Sequence, residues 1–147
     1  MVEKMTGGCQ CGRVRYTATI EDDDAYLCHC RMCQRATGGV SIAFKNVKKA
    51  AVTWEQEPDR YASSPIARRG FCTICGTPLT FEFPDSKNMD LTVGSFDEPG
   101  RFRPRHHFGV ESLHEQWLDT TALPRYRTEE NSNVVDRWMK TVGKLPD

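Results

Sequence analysis

The chain has 147 residues, enough for one domain with a core that can fold alone. Its charge is balanced, 20 Lys+Arg against 20 Asp+Glu, so no net field draws it to nucleic acid or to an anionic membrane. No apolar run approaches the roughly 20 residues of a membrane span, and MVEKMTGGCQ (1–10) holds no apolar signal-peptide segment, so the expectation is a soluble cytoplasmic protein.

In chain order, the first strong pattern is RVRYTATI (13–20). Val14, Tyr16 and Ala18 alternate with polar neighbours there, which predicts a half-buried strand. EDDD (21–24) reads as a turn. CRMCQRAT (30–37) predicts a helix of one or two turns. The runs VSIAFK (40–45), AVTW (51–54), RRGF (68–71), PLTFEF (78–83) and MDLTVGSF (89–96) predict further strands. EQEPD, FPDSKN and DEPGRFRP predict the turns between and after them. NSNVVDRWMKTVGK (131–144) carries Val134, Val135, Trp138 and Met139 at helical spacing, with Asn131 or Ser132 as N-cap. The expected class is mainly β, with short strands and a C-terminal helix. The expected division is one domain over 1–130 and a helical extension over 131–147.

The seven cysteines fall into three tight groups: Cys9 and Cys11; Cys28, Cys30 and Cys33; Cys72 and Cys75. A reducing compartment argues against a disulfide framework, and the odd count argues against full pairing. Clustering is what metal ligands require, since neighbouring thiolates must converge on one ion. Only 38% of the chain is hydrophobic, so binding energy from a metal would assist folding directly.

Zinc takes four ligands in structural sites, and three protein ligands plus an open position in catalytic ones. The Cys-x-x-Cys-Gly of FCTICGTPL (71–79) turns two thiols toward one ion, with Gly76 free to take positive φ. In GGCQCGRVRY (7–16), an extended backbone would point Cys9 and Cys11 to one side. Each pair supplies two ligands, so Cys9, Cys11, Cys72 and Cys75 are the candidate structural zinc site. Cys28, Cys30 and Cys33 remain as a three-thiolate site with an open place for water or a substrate thiol. Three anionic thiolates make zinc a weaker Lewis acid, which suits thiol binding better than water activation. Other readings of the triple cluster stay open. A distant His29, His106, His107 or His114 could close it as a second structural zinc, it could stand empty or oxidised, or it could hold iron and sulfide.

Taken together, GGCQCGRVRY, CHCRMCQRATGG and RRGFCTICGTPLTF resemble the glutathione-dependent formaldehyde-activating enzyme family, which includes centromere protein V. The likeness runs from about Gly7 to Tyr126, through SFDEP, PRHHFGVES, QW and LPRY. It implies packed antiparallel sheets of the β-tent type. It implies a structural zinc on Cys9, Cys11, Cys72 and Cys75 and a catalytic zinc on Cys28, Cys30 and Cys33, two zinc ions in all. It also implies carbon–sulfur chemistry that joins glutathione and formaldehyde as S-hydroxymethylglutathione, or the reverse lyase reaction. The implied partner is a small thiol, with neither nucleic acid nor membrane expected. The cysteines themselves specify a zinc scaffold, and a non-catalytic partner-binding module is the alternative.

Glutathione carries two carboxylates, for which Arg31, Arg35, Arg68 and Arg69 are candidate partners, with plain surface charge as the alternative. Thr37, Gly38 and Gly39 offer either a close-approach loop or a simple turn. His106 and His107 offer a base or a metal ligand, and His29 a packing role beside the cysteines. Phe108, Trp117 and Tyr126 are candidates for lining a pocket, with core the alternative.

Overall fold

The computed structural model describes residues 2–146. Among these residues ten strands run in chain order: β1 (Glu3–Gly8), β2 (Arg15–Ile20), β3 (Asp24–Cys28), β4 (Ile42–Lys48), β5 (Val52–Trp54), β6 (Asp59–Ala62), β7 (Arg68–Phe71), β8 (Pro78–Glu82), β9 (Asn88–Thr92) and β10 (Arg103–Phe108). Helix α1 spans Arg31–Thr37 and α2 spans Ser132–Thr141. Two compact units result, Met1–His114 and Glu115–Asp147. The first holds every strand. The second holds α2, whose N-cap Asn131 accepts a bond from the Val134 N–H. Among the described residues no helix is long and apolar enough to cross a membrane.

One sheet has the order β1-β2-β5, the other β10-β3-β4-β9-β8-β7-β6. Every pairing is antiparallel except β10 with β3, which is parallel. The alternation expected in residues 13–20 is present: Val14, Tyr16, Ala18 and Ile20 are all buried. They pack with Met5 of β1, and with Val47, Leu79, Met89 and Leu91 of the larger sheet, in one core. Tyr16 meets Trp54 and Phe96 edge to face and shares a 2.8 Å hydrogen bond with Ser95. Each fully buried Ile20, Leu79 or Leu91 contributes roughly 1.5–3 kcal/mol.

Four strands carry no clear pattern in the sequence. β1 contains two glycines, a turn signal, yet Gly7 is a strand residue pressed against Tyr16, where an added Cβ would fall 2.5 Å from the Ser95 carbonyl oxygen. β3 and β6 are short, and each begins on an aspartate. β10 begins inside what reads as a turn, 97–104, and runs on to Phe108. Its Pro104 sits at a register shift on an edge strand, one of the few places a sheet accepts proline.

Candidate metal centres and the cavity beside one of them

Two tight turns build the first centre. Gly76 N–H closes onto the Cys72 carbonyl at 2.7 Å and takes φ +79°, as the Cys-x-x-Cys-Gly spacing predicts. Cys9 and Cys11 do not lie on an extended strand as expected. β1 ends at Gly8, and Gly12 (φ +82°) donates to the Cys9 carbonyl at 3.2 Å. The reason is distance. Same-face neighbours on a strand sit about 6.6 Å apart, whereas the turn brings the two sulfurs to 3.6 Å. The Cys11 and Cys72 sulfurs are 3.7 Å apart, although 61 residues separate them in sequence. Zinc–sulfur bonds of about 2.3 Å place tetrahedral ligands about 3.8 Å from one another. The four sulfurs lie within 4.8 Å of one another, so Cys9, Cys11, Cys72 and Cys75 can hold a metal, in a geometry consistent with zinc.

N–H and O–H donors surround these sulfurs. Val14 N–H reaches Cys9 Sγ and Arg13 Nε reaches Cys72 Sγ, both at 3.3 Å, and Thr77 Oγ1 lies 3.2 Å from Cys75 Sγ. Thr77 holds the Cys75 thiol down to about 5. Burial works against a charged Cys72, but Arg13 and the backbone N–H groups of Cys75 and Ile74 outweigh it and lower its pKa. Arg13 is itself fixed by an ion pair with Asp59, which also accepts from Thr73 N–H. Sequence reasoning missed Arg13, although it stands two residues after Cys11.

The second centre is local. Cys28 ends β3, Cys30 is the N-cap of α1 and Cys33 lies inside α1. The Cys30 sulfur accepts the Cys33 N–H at 3.3 Å, taking the place a serine oxygen takes in many helices. The three sulfurs lie within 4.8 Å of one another and can hold a metal. Among the described residues no histidine or carboxylate joins them. Of the four histidines offered as closing ligands, His29 is buried and turned to His107, its Nε2 2.9 Å from that ring's Nδ1. His106 stacks on Tyr26 at 5.1 Å, and His106, His107 and His114 are all exposed.

Arg69 donates to Cys33 Sγ at 3.3 Å and lies 4.8 Å over the Phe81 ring. The hydrogen bond from Cys28, and then that from Arg69, holds the Cys33 thiol down to about 5, while Cys28 is pushed far up. The other arginines serve elsewhere. Arg68 pairs with the buried Glu82 at 2.6 Å, Arg31 bonds Gln34, and Arg35 is exposed in the last turn of α1. Thr37 and Gly38 end the helix: Thr37 Oγ1 donates to the Cys33 carbonyl at 2.7 Å and accepts the Gly39 N–H, and Gly38 takes φ +78°. Gln34, also missed, is buried and ties the His29 and Ser112 carbonyls to the helix.

A cavity of about 470 Å³ opens beside the second centre, with Cys28, Cys30 and Cys33 in its wall. Phe108 lines it, whereas Trp117 and Tyr126 belong to the second unit and are exposed there. Asp90 also lines it, buried on β9. Tyr26 Oη and Asn46 Nδ2 donate to its two oxygens, each at 3.0 Å. Burial raises its carboxyl pKa against those two donors. No pattern in the sequence marks Asp90, since its role depends on three strands meeting.

Comparison with known proteins gives the same picture. Over 82 residues the chain is 35% identical to an uncharacterized lyase of Schizosaccharomyces pombe, an alignment covering 56% of this chain and 60% of the yeast protein's length. A crystal structure of a Rhodobacter sphaeroides protein shares the fold, with a TM-score of 0.52 at 20% identity, over 63% of this chain and 88% of that one. A family model described as glutathione-dependent formaldehyde-activating enzyme matches residues 4–112, a span that holds all seven cysteines and every strand from β2 to β10. The chain belongs to the glutathione-dependent formaldehyde-activating enzyme family.

Proposed function

We propose that the chain is a zinc-dependent carbon–sulfur lyase or synthase acting on a thiol–aldehyde adduct, S-hydroxymethylglutathione being the one that the family name suggests. In this reading Cys9, Cys11, Cys72 and Cys75 hold a structural zinc, and Cys28, Cys30 and Cys33 hold the catalytic one. The observation that carries it is three converging sulfurs with no fourth side-chain ligand among the described residues, in the wall of a cavity large enough for a small substrate.

Zinc bound by three thiolates supplies a place for a substrate sulfur as thiolate. The chain's own groups do the rest. Adduct formation joins sulfur to the aldehyde carbon and moves the thiol proton to the carbonyl oxygen, and the lyase direction reverses both changes. Asp90 is placed to hold or return that proton at a carboxylate oxygen, because burial keeps its pKa raised and Tyr26 and Asn46 fix its orientation. Arg69 fixes the Cys33 sulfur and offsets its negative charge. Phe44 and Phe81 pack against the cysteines and give them an apolar flank.

The test is zinc content by elemental analysis on reduced protein, with turnover of glutathione and formaldehyde measured on the same sample. One zinc in each cluster, with turnover that Asp90→Asn reduces at least tenfold, supports the reading. A fully loaded protein that turns over no thiol–aldehyde pair points instead to a non-catalytic zinc scaffold.

A further inference from the structure

The cavity wall has a chemistry of its own. Phe44 forms part of it from within, and Met32, Ile66, Phe83 and Phe108 stand around it with large apolar surfaces open to solvent, Ile66 at 67% and Phe108 at 62% exposure. These residues come from α1, the β6–β7 connection, the segment after β8, and β10. A cluster of exposed apolar side chains around a small cavity marks a ligand site that gains from burying hydrocarbon.

The charges point the same way. Two carboxylates, Asp90 and Glu111, belong to the wall. Its one guanidinium, Arg69, is buried and already engaged by Cys33 Sγ and the Phe81 face. Arg31, Arg35 and Arg68 do not line the cavity. Glutathione carries two carboxylates and one ammonium. His106 also lines the wall but is stacked on Tyr26, and both Asp90 oxygens already accept from Tyr26 and Asn46. Bringing glutathione's carboxylates against Glu111, with no free lysine or arginine in the wall, would cost desolvation with little compensation.

We infer that the cavity selects an uncharged thiol, or thiol–aldehyde adduct, bearing an aromatic or branched apolar group, in preference to an anionic peptide thiol. The inference rests on the thiol-binding reading above and puts an apolar thiol in place of the glutathione adduct that the family name suggests. Ile66 and Glu111 are the specificity-determining positions at the rim. Both are exposed, so both can be changed without disturbing the core.

The test uses the full chain loaded with cobalt(II), whose thiolate charge-transfer absorption reports a new sulfur ligand independently of turnover. Dissociation constants are measured for 2-phenylethanethiol, 3-mercaptopropionate and glutathione, compared at equal thiolate concentration. The expected result is at least tenfold tighter binding of 2-phenylethanethiol than of either anionic thiol. Ile66→Arg combined with Glu111→Gln should bring the three within about threefold. Equal or tighter binding of an anionic thiol by the unaltered protein overturns the inference and leaves the thiol-binding reading standing. An unchanged preference in the double variant overturns the assignment of the rim residues. A cobalt spectrum that no thiol perturbs overturns the thiol-binding reading, and the inference with it.

Discussion

The two cysteine clusters share a ligand type and differ in almost everything else. Cys9 and Cys72 are part of the main core, packed with Tyr16, Leu79 and Leu91. Cys28 and Cys33 belong to a small satellite cluster around Phe44 that opens on the cavity. The first cluster joins turns 61 residues apart, and the second lies within six consecutive residues. Cross-linking a loop of that length restricts the unfolded chain by about 4 kcal/mol, whereas a local cluster restricts it far less. Four ligands across a long loop suit stability, and three beside a cavity suit chemistry.

The largest expected effect comes from breaking the first cluster. Cys72→Ser removes a candidate metal ligand, the contact to Arg13 and a buried core group together. It should cost at least about 4 kcal/mol, read as loss of the folded baseline in urea denaturation followed by circular dichroism. The matched change in the second cluster, Cys30→Ser, should lower turnover at least about 100-fold, while unfolding free energy changes by less than about 1 kcal/mol. Serine retains the N-cap acceptor that Cys30 supplies to α1, so the helix survives the substitution. If both variants unfold equally, the two clusters do not divide as described.

Smaller substitutions sharpen the contrast. Gly76 sits at φ +79°, where a Cβ costs about 1–2 kcal/mol. Nothing lies near the added carbon, so Gly76→Ala tests backbone conformation alone. Thermal melts should show that loss, with substrate affinity at the second site unchanged. The smallest effect concerns Asp97, which ties β1 and β2 to the loop after β9. Arg15 grips both its oxygens at 2.9 and 2.6 Å and Thr6 Oγ1 adds a third donor, holding its carboxyl down from 3.8 to about 2. That depression corresponds to roughly 2.4 kcal/mol, which partial exposure of the pair reduces to about 1 kcal/mol. A depressed carboxyl stabilises the fold above its unfolded pKa and loses that contribution as pH falls through the folded one. Asp97→Asn should therefore be less stable than the parent above pH 4, and the gap should close between about pH 4 and pH 2.

Much of this was readable from residue spacing. The alternation in 13–20 sets the inner face of β2, and Arg68–Phe71 forms the strand that RRGF suggests. The grouping of the cysteines follows from ligand number alone, and the sulfurs meet as that count requires. What was hidden depends on contacts distant in sequence. Gly7 and Gly8 look like a turn because their strand role comes from Tyr16 and Val14 pressing on them. Pro104 looks like a strand breaker because only the finished sheet shows it on an edge. Asp90 is an ordinary strand residue until β3, β4 and β9 converge, and Arg69, a candidate for a substrate carboxylate in the sequence, meets Cys33 Sγ instead only because β7 and α1 come together. Of the apolar rim only Phe108 was a pocket candidate in the sequence, since Met32, Ile66 and Phe83 share no period with it.

Cadmium-113 NMR of the cadmium-loaded protein tests the division between the clusters most directly. Two signals are predicted. One lies in the four-sulfur range and does not move when thiol is added. The other lies in the range of three sulfurs with one lighter ligand and shifts toward the four-sulfur range as thiol binds. Two signals in the four-sulfur range before thiol is added, or a single signal that thiol leaves in place, would contradict the account.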